Sequence, residues 1–339
     1  MLIDMHAHVI PETFPPAAGR ASARRWPAMD HFEPGLARVM IAGENFRTVH
    51  SGNWDVERRL RDMEASGVDA EAVSPLPELL SYWFTAQDGL DFCRYVNEWI
   101  AKFREAAPAR FYGLGAVPLQ DPDLAAKELS NLKAMGLAGV EIGSNVLGKS
   151  LGEERFLGFF QEAERQGLAV FVHALHPTVA GRIAPALLNP IGFPTDTGLT
   201  IASLIAGGTA EACPSLRIAF SHGGGTFPFM LPRFVHAWSG AWNEEPPPPG
   251  REPALALGRS PAEYARRFYY DTLVFDRRAI RYLIDVIGPR QLLVGTDYPY
   301  MAREQPVGRT LLGMGLDREV VEDIGWRNCL RFLGAEEQA

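Results

Sequence analysis

The chain has 339 residues, with 33 basic and 41 acidic side chains and a net charge of -8. That balance gives no electrostatic footprint for nucleic acid or for an anionic membrane surface. Nor is there a basic leader before an apolar stretch, or a run of about eighteen apolar residues to span a membrane, so a cytoplasmic protein with a small-molecule partner is expected.

Three cysteines, Cys93, Cys213 and Cys329, are odd in number, far apart and free of CxxC spacing, and read as reduced core thiols. In chain order, short β-rich runs at residues 2–6, 69–74, 111–117, 139–142, 168–173, 216–222, 268–273 and 291–297 alternate with stretches of helical period. Val56, Leu60 and Met63 mark one such helix, Ala125, Leu129, Leu132 and Met135 another, and Ile280, Leu283, Ile284 and Ile287 a third. Asp121 followed by Pro122, and Asp276, supply N-cap signals.

Eight strand-then-helix units predict an α/β fold, a (β/α)8 TIM barrel formed by residues 1–339 as one domain. A doubly wound sheet would carry a glycine-rich phosphate loop after its first strand, where this chain has His6-Ala7-His8. Two segments interrupt the alternation. An insertion at about 11–53 after strand one is long enough to form a lid over the mouth. A second at about 239–260 contains Pro246-Pro247-Pro248-Pro249-Gly250 and reads as an exposed excursion before strand seven.

Barrel active sites lie at the C-terminal strand ends, so residues ending different strands converge. Here strand one delivers His6 and His8 to one face, strand five ends in His173, strand six in His222 and strand eight in Asp297. Each alone reads as a hydrogen-bonded structural residue. Their coincidence at strand ends predicts a metal centre of His6, His8, His173 and Asp297, a donor set suited to zinc with a position left for water. His176, three residues past His173, is a second candidate for substrate contact, and the amides of Gly223, Gly224 and Gly225 for an anion site. His31, His50 and His236 read as solvated or structural.

The pattern of HxH after strand one, His after strands five and six, and Asp after strand eight resembles the amidohydrolase superfamily. Binuclear members carry a bridging lysine at the end of strand four. Here that strand reads Gly139-Val140-Glu141-Ile142-Gly143, and Lys149 lies too far beyond it, so one metal per subunit is expected. Further strings resemble aminocarboxymuconate semialdehyde decarboxylase and its relatives: Phe46-Arg47, Asn53-Trp54-Asp55, Ser81-Tyr82-Trp83, His222-Gly223-Gly224-Gly225 and Gly295-Thr296-Asp297-Tyr298-Pro299. They are ordered along nearly the whole chain.

The resemblance implies a zinc-dependent, non-oxidative decarboxylase, without organic cofactor, acting on a carboxylated muconate semialdehyde or a related aromatic-catabolism intermediate. It implies His6, His8, His173 and Asp297 as ligands, and His222 working with metal-bound water to protonate the carbon that loses carbon dioxide. Arg47 and Arg233 match arginines that hold substrate carboxylates, the second across a homodimer interface. Glu44 stands where relatives have lysine, and Leu175 departs from their His-Pro-Trp string, which leaves the exact substrate open. The same zinc-water could serve a hydrolase of an amide or lactone, or a hydratase of a carboxylated diene.

Overall fold

The structure, a computed structural model, describes residues 1–240 and 256–336. The proline run at 246–249 lies outside them. Thirteen strands occur among the described residues. Eight form one parallel sheet in the order β1 (Ile3–Val9), β5 (Ala70–Pro75), β6 (Phe111–Gly115), β7 (Gly139–Gly143), β10 (Ala169–His173), β11 (Ile218–Phe220), β12 (Tyr269–Asp271) and β13 (Leu292–Leu293). The last edge meets the first through Met5 N to Val294 O at 2.8 Å, Asp297 N to His6 O at 2.8 Å and His8 N to Tyr298 O at 2.7 Å. The sheet thus curls into an α/β barrel of the (β/α)8 kind, as expected.

Helices form where the period predicted them. Asp55 caps Val56–Ser66 by accepting from Arg58 N, Asp121 caps Pro122–Ala134 by accepting from Leu124 N, and Asp276 caps Arg277–Val286 by accepting from Arg278 N. No helix among the described residues is long and apolar enough to cross a membrane.

The insertion after β1 folds as a three-stranded antiparallel sheet of β2 (Ala28–Glu33), β3 (Leu36–Ile41) and β4 (Glu44–His50). Lys149 belongs to a small hairpin, β8 (Asn145–Val146) with β9 (Lys149–Ser150), where it is exposed.

Simple alternation along β1 does not describe what it presents. Its pairing with β5 runs Asp4 to Glu71 and then Ala7 to Val73, so β1 carries one extra residue there. This bulge re-phases the strand. Ile3 and Met5 pack with Ala70, Ala72, Leu114, Phe171 and Leu293 in the barrel interior, closed by Cys329, Leu330 and Phe332 of the C-terminal helix Asn328–Leu333. Beyond the bulge His6 and His8 enter the same interior, above an apolar floor. Beneath the site, Arg59 and Glu71, both fully buried, pair at 2.5 Å, and the Arg59 guanidinium also donates to His8 O and Gly52 O.

Candidate metal centre

Residues from four barrel strands and the turns after them meet at one point. His6 and His8 lie within β1, and His173 is the last residue of β10. His222 comes two residues after β11, and Asp297 four residues after β13, so strands six and eight end earlier than the sequence suggests. The reason is local: His222 and Asp297 both adopt left-handed backbone, with φ of 57° and 58°, which turns the chain out of the strand and the side chain inward.

His6, His173, His222 and Asp297 each offer one donor atom, and these lie within 4.8 Å of one another. His8 joins them through Nε2, which is 3.1 Å from His6 Nε2 and 3.1 Å from Asp297 Oδ1. The His173 ring packs edge-on to both, at centroid distances of 4.9 and 5.0 Å, and lies 5.2 Å from His222. All five predicted residues therefore converge.

What holds the rings decides which nitrogen faces the cluster. His6 Nδ1 donates to Asp271 Oδ2 at 2.7 Å, His8 Nδ1 to Pro75 O at 3.1 Å and His173 Nδ1 to Ala174 O at 2.8 Å. A carboxylate or carbonyl only accepts, so Nδ1 carries the proton in each ring and Nε2 points inward. His222 differs. Its Nδ1 meets Ser221 Oγ at 3.2 Å, a hydroxyl that can donate or accept.

The donor set fits a metal. His173 Nε2 is buried with no hydrogen-bond partner among the described residues, and leaving such an atom unsatisfied costs roughly 1–3 kcal/mol. A cation would satisfy it. Burial would push the His8 imidazole down, but the Glu141 carboxylate 3.5 Å away, with Asp297, raises it to about 9. Surroundings that favour a proton there favour a metal in its place. Burial, then the neighbouring imidazole of His6, holds His173 and His222 below the ordinary histidine value. Burial opposes ionisation of Asp297 and Asp271, yet the hydrogen bond from His8 to the former and from His6 to the latter keeps both carboxyls below their ordinary range.

Asp271, at the end of β12, is not among the sequence-predicted residues. It is fully buried and accepts from His6 Nδ1 and His222 N on one oxygen, and from Gly223 N and Leu273 N on the other. The signal that could have found it is a carboxylate ending an apolar strand, as in Tyr269-Tyr270-Asp271. The glycine amides are not an anion site: Gly223 N serves Asp271, Gly224 N serves Ser221 O and Gly225 N serves His222 O. Glycine is needed at 225 because its φ is 59° and a β-carbon would sit 1.8 Å from Pro194 O.

The centre opens into a pocket of about 810 Å³ whose wall is mostly apolar. Arg47, on β4, lines it and rests its guanidinium 4.5 Å from the Tyr300 ring. Tyr300 in turn stacks on His8 at 5.7 Å. His176 and Leu175 also line the pocket, whereas Glu44 is exposed on the inserted sheet. Arg233 is exposed on the helix Phe227–Trp238 and does not line the pocket of its own chain.

The amidohydrolase family model matches residues 3–335. The chain belongs to the amidohydrolase family. A curated relative, 2-amino-3-carboxymuconate-6-semialdehyde decarboxylase of Dictyostelium discoideum, is 34% identical over 340 residues, covering 98% of this chain and 92% of its own length. Among solved structures, 5-carboxyvanillate decarboxylase from Sphingomonas paucimobilis matches with a TM-score of 0.78 at 26% identity, over 98% of each chain. A dihydroxybenzoic acid decarboxylase from Polaromonas sp. JS666, crystallised with bound manganese and an inhibitor, shares the fold at a TM-score of 0.73 and 22% identity, over 82% of this chain and 85% of its own. Within the family the chain stands with the metal-dependent decarboxylases.

Proposed function

We propose that the chain is a zinc-dependent, non-oxidative decarboxylase of a carboxylated muconate semialdehyde or a related carboxylated aromatic-catabolism intermediate. In this reading one metal per subunit is held by His6, His8, His173 and Asp297, no organic cofactor takes part, and His222 moves the proton. The observation that carries the division of roles is the hydrogen bonding of the four rings. Three have an acceptor-only oxygen on Nδ1, His8 with the Ser74 hydroxyl also at 3.2 Å, and present Nε2 as ligands do, while the fourth has only a hydroxyl on Nδ1 and can exchange its proton without breaking its support.

When bound, the metal supplies Lewis acidity, polarising substrate oxygen and bringing the pKa of water toward neutrality. The chain does the rest. Arg47 holds a substrate carboxylate with its planar fork of donors, and the apolar wall excludes bulk water, which strengthens every charge interaction inside. His222, neutral at rest, takes a proton from water and passes it to the carbon bearing the departing carboxylate, the new C–H bond using the π pair of the substrate. The carbon–carbon bond then breaks, its electron pair restores that double bond, and carbon dioxide leaves without an oxidant.

A homodimer completes the site in this reading, with Arg233 of one subunit reaching the pocket of the other. If so, Arg47→Ala and Arg233→Ala proteins, each inactive alone, regain up to about a quarter of activity on subunit exchange, as expected when one site in the mixed dimer is intact. Heterodimers that stay inactive would exclude the shared site. The reaction itself is tested by carbon dioxide release from carboxylated muconate semialdehydes and hydroxybenzoates, before and after removal of metal by a chelator.

A further inference from the structure

The apolar wall of the pocket carries a second polar point, separate from Arg47 on Tyr300, formed by Glu78 and His176. His176 Nε2 and Glu78 Oε2 are 2.9 Å apart, and the Glu78 side chain is only 10% exposed. The His176 ring stacks on Trp83 at 5.3 Å and 18°, and Arg25 lies over the other aromatic partner of that stack, 4.2 Å from the Trp83 ring. The backbone of His176 is left-handed, with φ of 44°, a conformation that costs a residue with a β-carbon about 1–2 kcal/mol. It is held there by Asn145, whose Nδ2 donates to Leu175 O, His176 O and Asp196 Oδ2. Strain maintained by surrounding bonds at a pocket wall points to a role for the side chain so placed.

We propose that Glu78 and His176 form a specificity subsite that reads a hydrogen-bond donor, a hydroxyl or amino group, on the carboxylated substrate. The chemistry follows from what the pair can accept. The Glu78 carboxylate accepts a hydrogen bond from Nε2–H of His176, so in the neutral imidazole Nδ1 keeps its lone pair, and the remaining carboxylate oxygen is also an acceptor. Both residues line the pocket, where they offer acceptors to a substituent, and the negative charge of Glu78 disfavours a second carboxylate at this position. A substrate with a hydroxyl or amino group there satisfies the pair, whereas its methyl ether leaves the largely buried Glu78 carboxylate without that donor, beside a half-exposed His176.

This subsite rests on the decarboxylase reading for its substrate class, but its test does not require turnover. Calorimetry on the metal-loaded protein compares binding of hydroxylated product analogues, phenols bearing one further hydroxyl, with their methyl ethers. The parent protein should prefer the best hydroxylated analogue by roughly 10- to 100-fold, and Glu78→Gln and His176→Phe should each reduce that ratio to within about threefold with the ether's affinity little changed. A parent ratio near one, absence of binding by every analogue, or variants that weaken phenol and ether equally would overturn the subsite. Failure to release carbon dioxide would overturn the reaction assignment and leave the binding ratio to decide this one.

Discussion

His222→Asn lowers turnover by about 10²–10⁴-fold, the range spanned by general acid–base groups, while the protein still binds one metal per chain. The expectation follows from the support of the four rings. His6, His8 and His173 each have an acceptor-only oxygen on Nδ1, whereas the Nδ1 partner of His222 is the Ser221 hydroxyl; His222 lines the pocket, as His173 does. Asparagine keeps a polar group of similar reach but cannot carry a proton at neutral pH. Metal analysis beside steady-state kinetics checks it. Loss of metal together with activity would make His222 a ligand, an outcome its place within 4.8 Å of His6, His173 and Asp297 makes worth measuring.

Asp271→Asn raises the dissociation constant for the metal by about 10–100-fold, the usual effect of removing an outer partner of a ligating histidine. The wild-type carboxylate has four donors and no competing role: Oδ2 accepts from His6 Nδ1 and His222 N, and Oδ1 from Gly223 N and Leu273 N. An amide must turn its NH₂ toward one of these pairs. Facing His6, it drives the imidazole to the other tautomer and puts a proton on the nitrogen meant for the metal. Facing the backbone, it leaves two buried N–H groups unpaired and loosens the turn that carries His222. Competition with a chelator of known affinity reads the change directly, and affinity within about twofold of the parent would remove Asp271 from the site.

Much of this architecture was legible because barrel strands make a polar residue conspicuous. In Phe171-Val172-His173 or Gly295-Thr296-Asp297 an apolar or small run ends in a metal-capable side chain, as four of the eight β-rich runs do, and the eight alternate with helical period along the chain. Other features had no local signature. The β1 bulge arises from pairing with β5, and without it Ile3 and Met5 would not share the interior with His6 and His8. The three strands of the insertion carry no signal of their own in the sequence, which shows a segment long enough for a lid, since edge residues such as Asp30, Glu33 and Glu44 break the apolar alternation that marks buried strands. Asp271 and Glu78 are carboxylates among dozens in composition, and only the fold reveals that each is buried against a histidine.

The central claim is that carbon dioxide leaves and a solvent proton takes its place on the same carbon. Turnover in D₂O, followed by NMR and mass spectrometry of the product, tests it most directly. One deuterium at the carbon that bore the carboxylate, with one carbon dioxide released per product, is the predicted result. A product that keeps all the carbon of its substrate and gains the elements of water would contradict it and make the centre hydrolytic or hydrating.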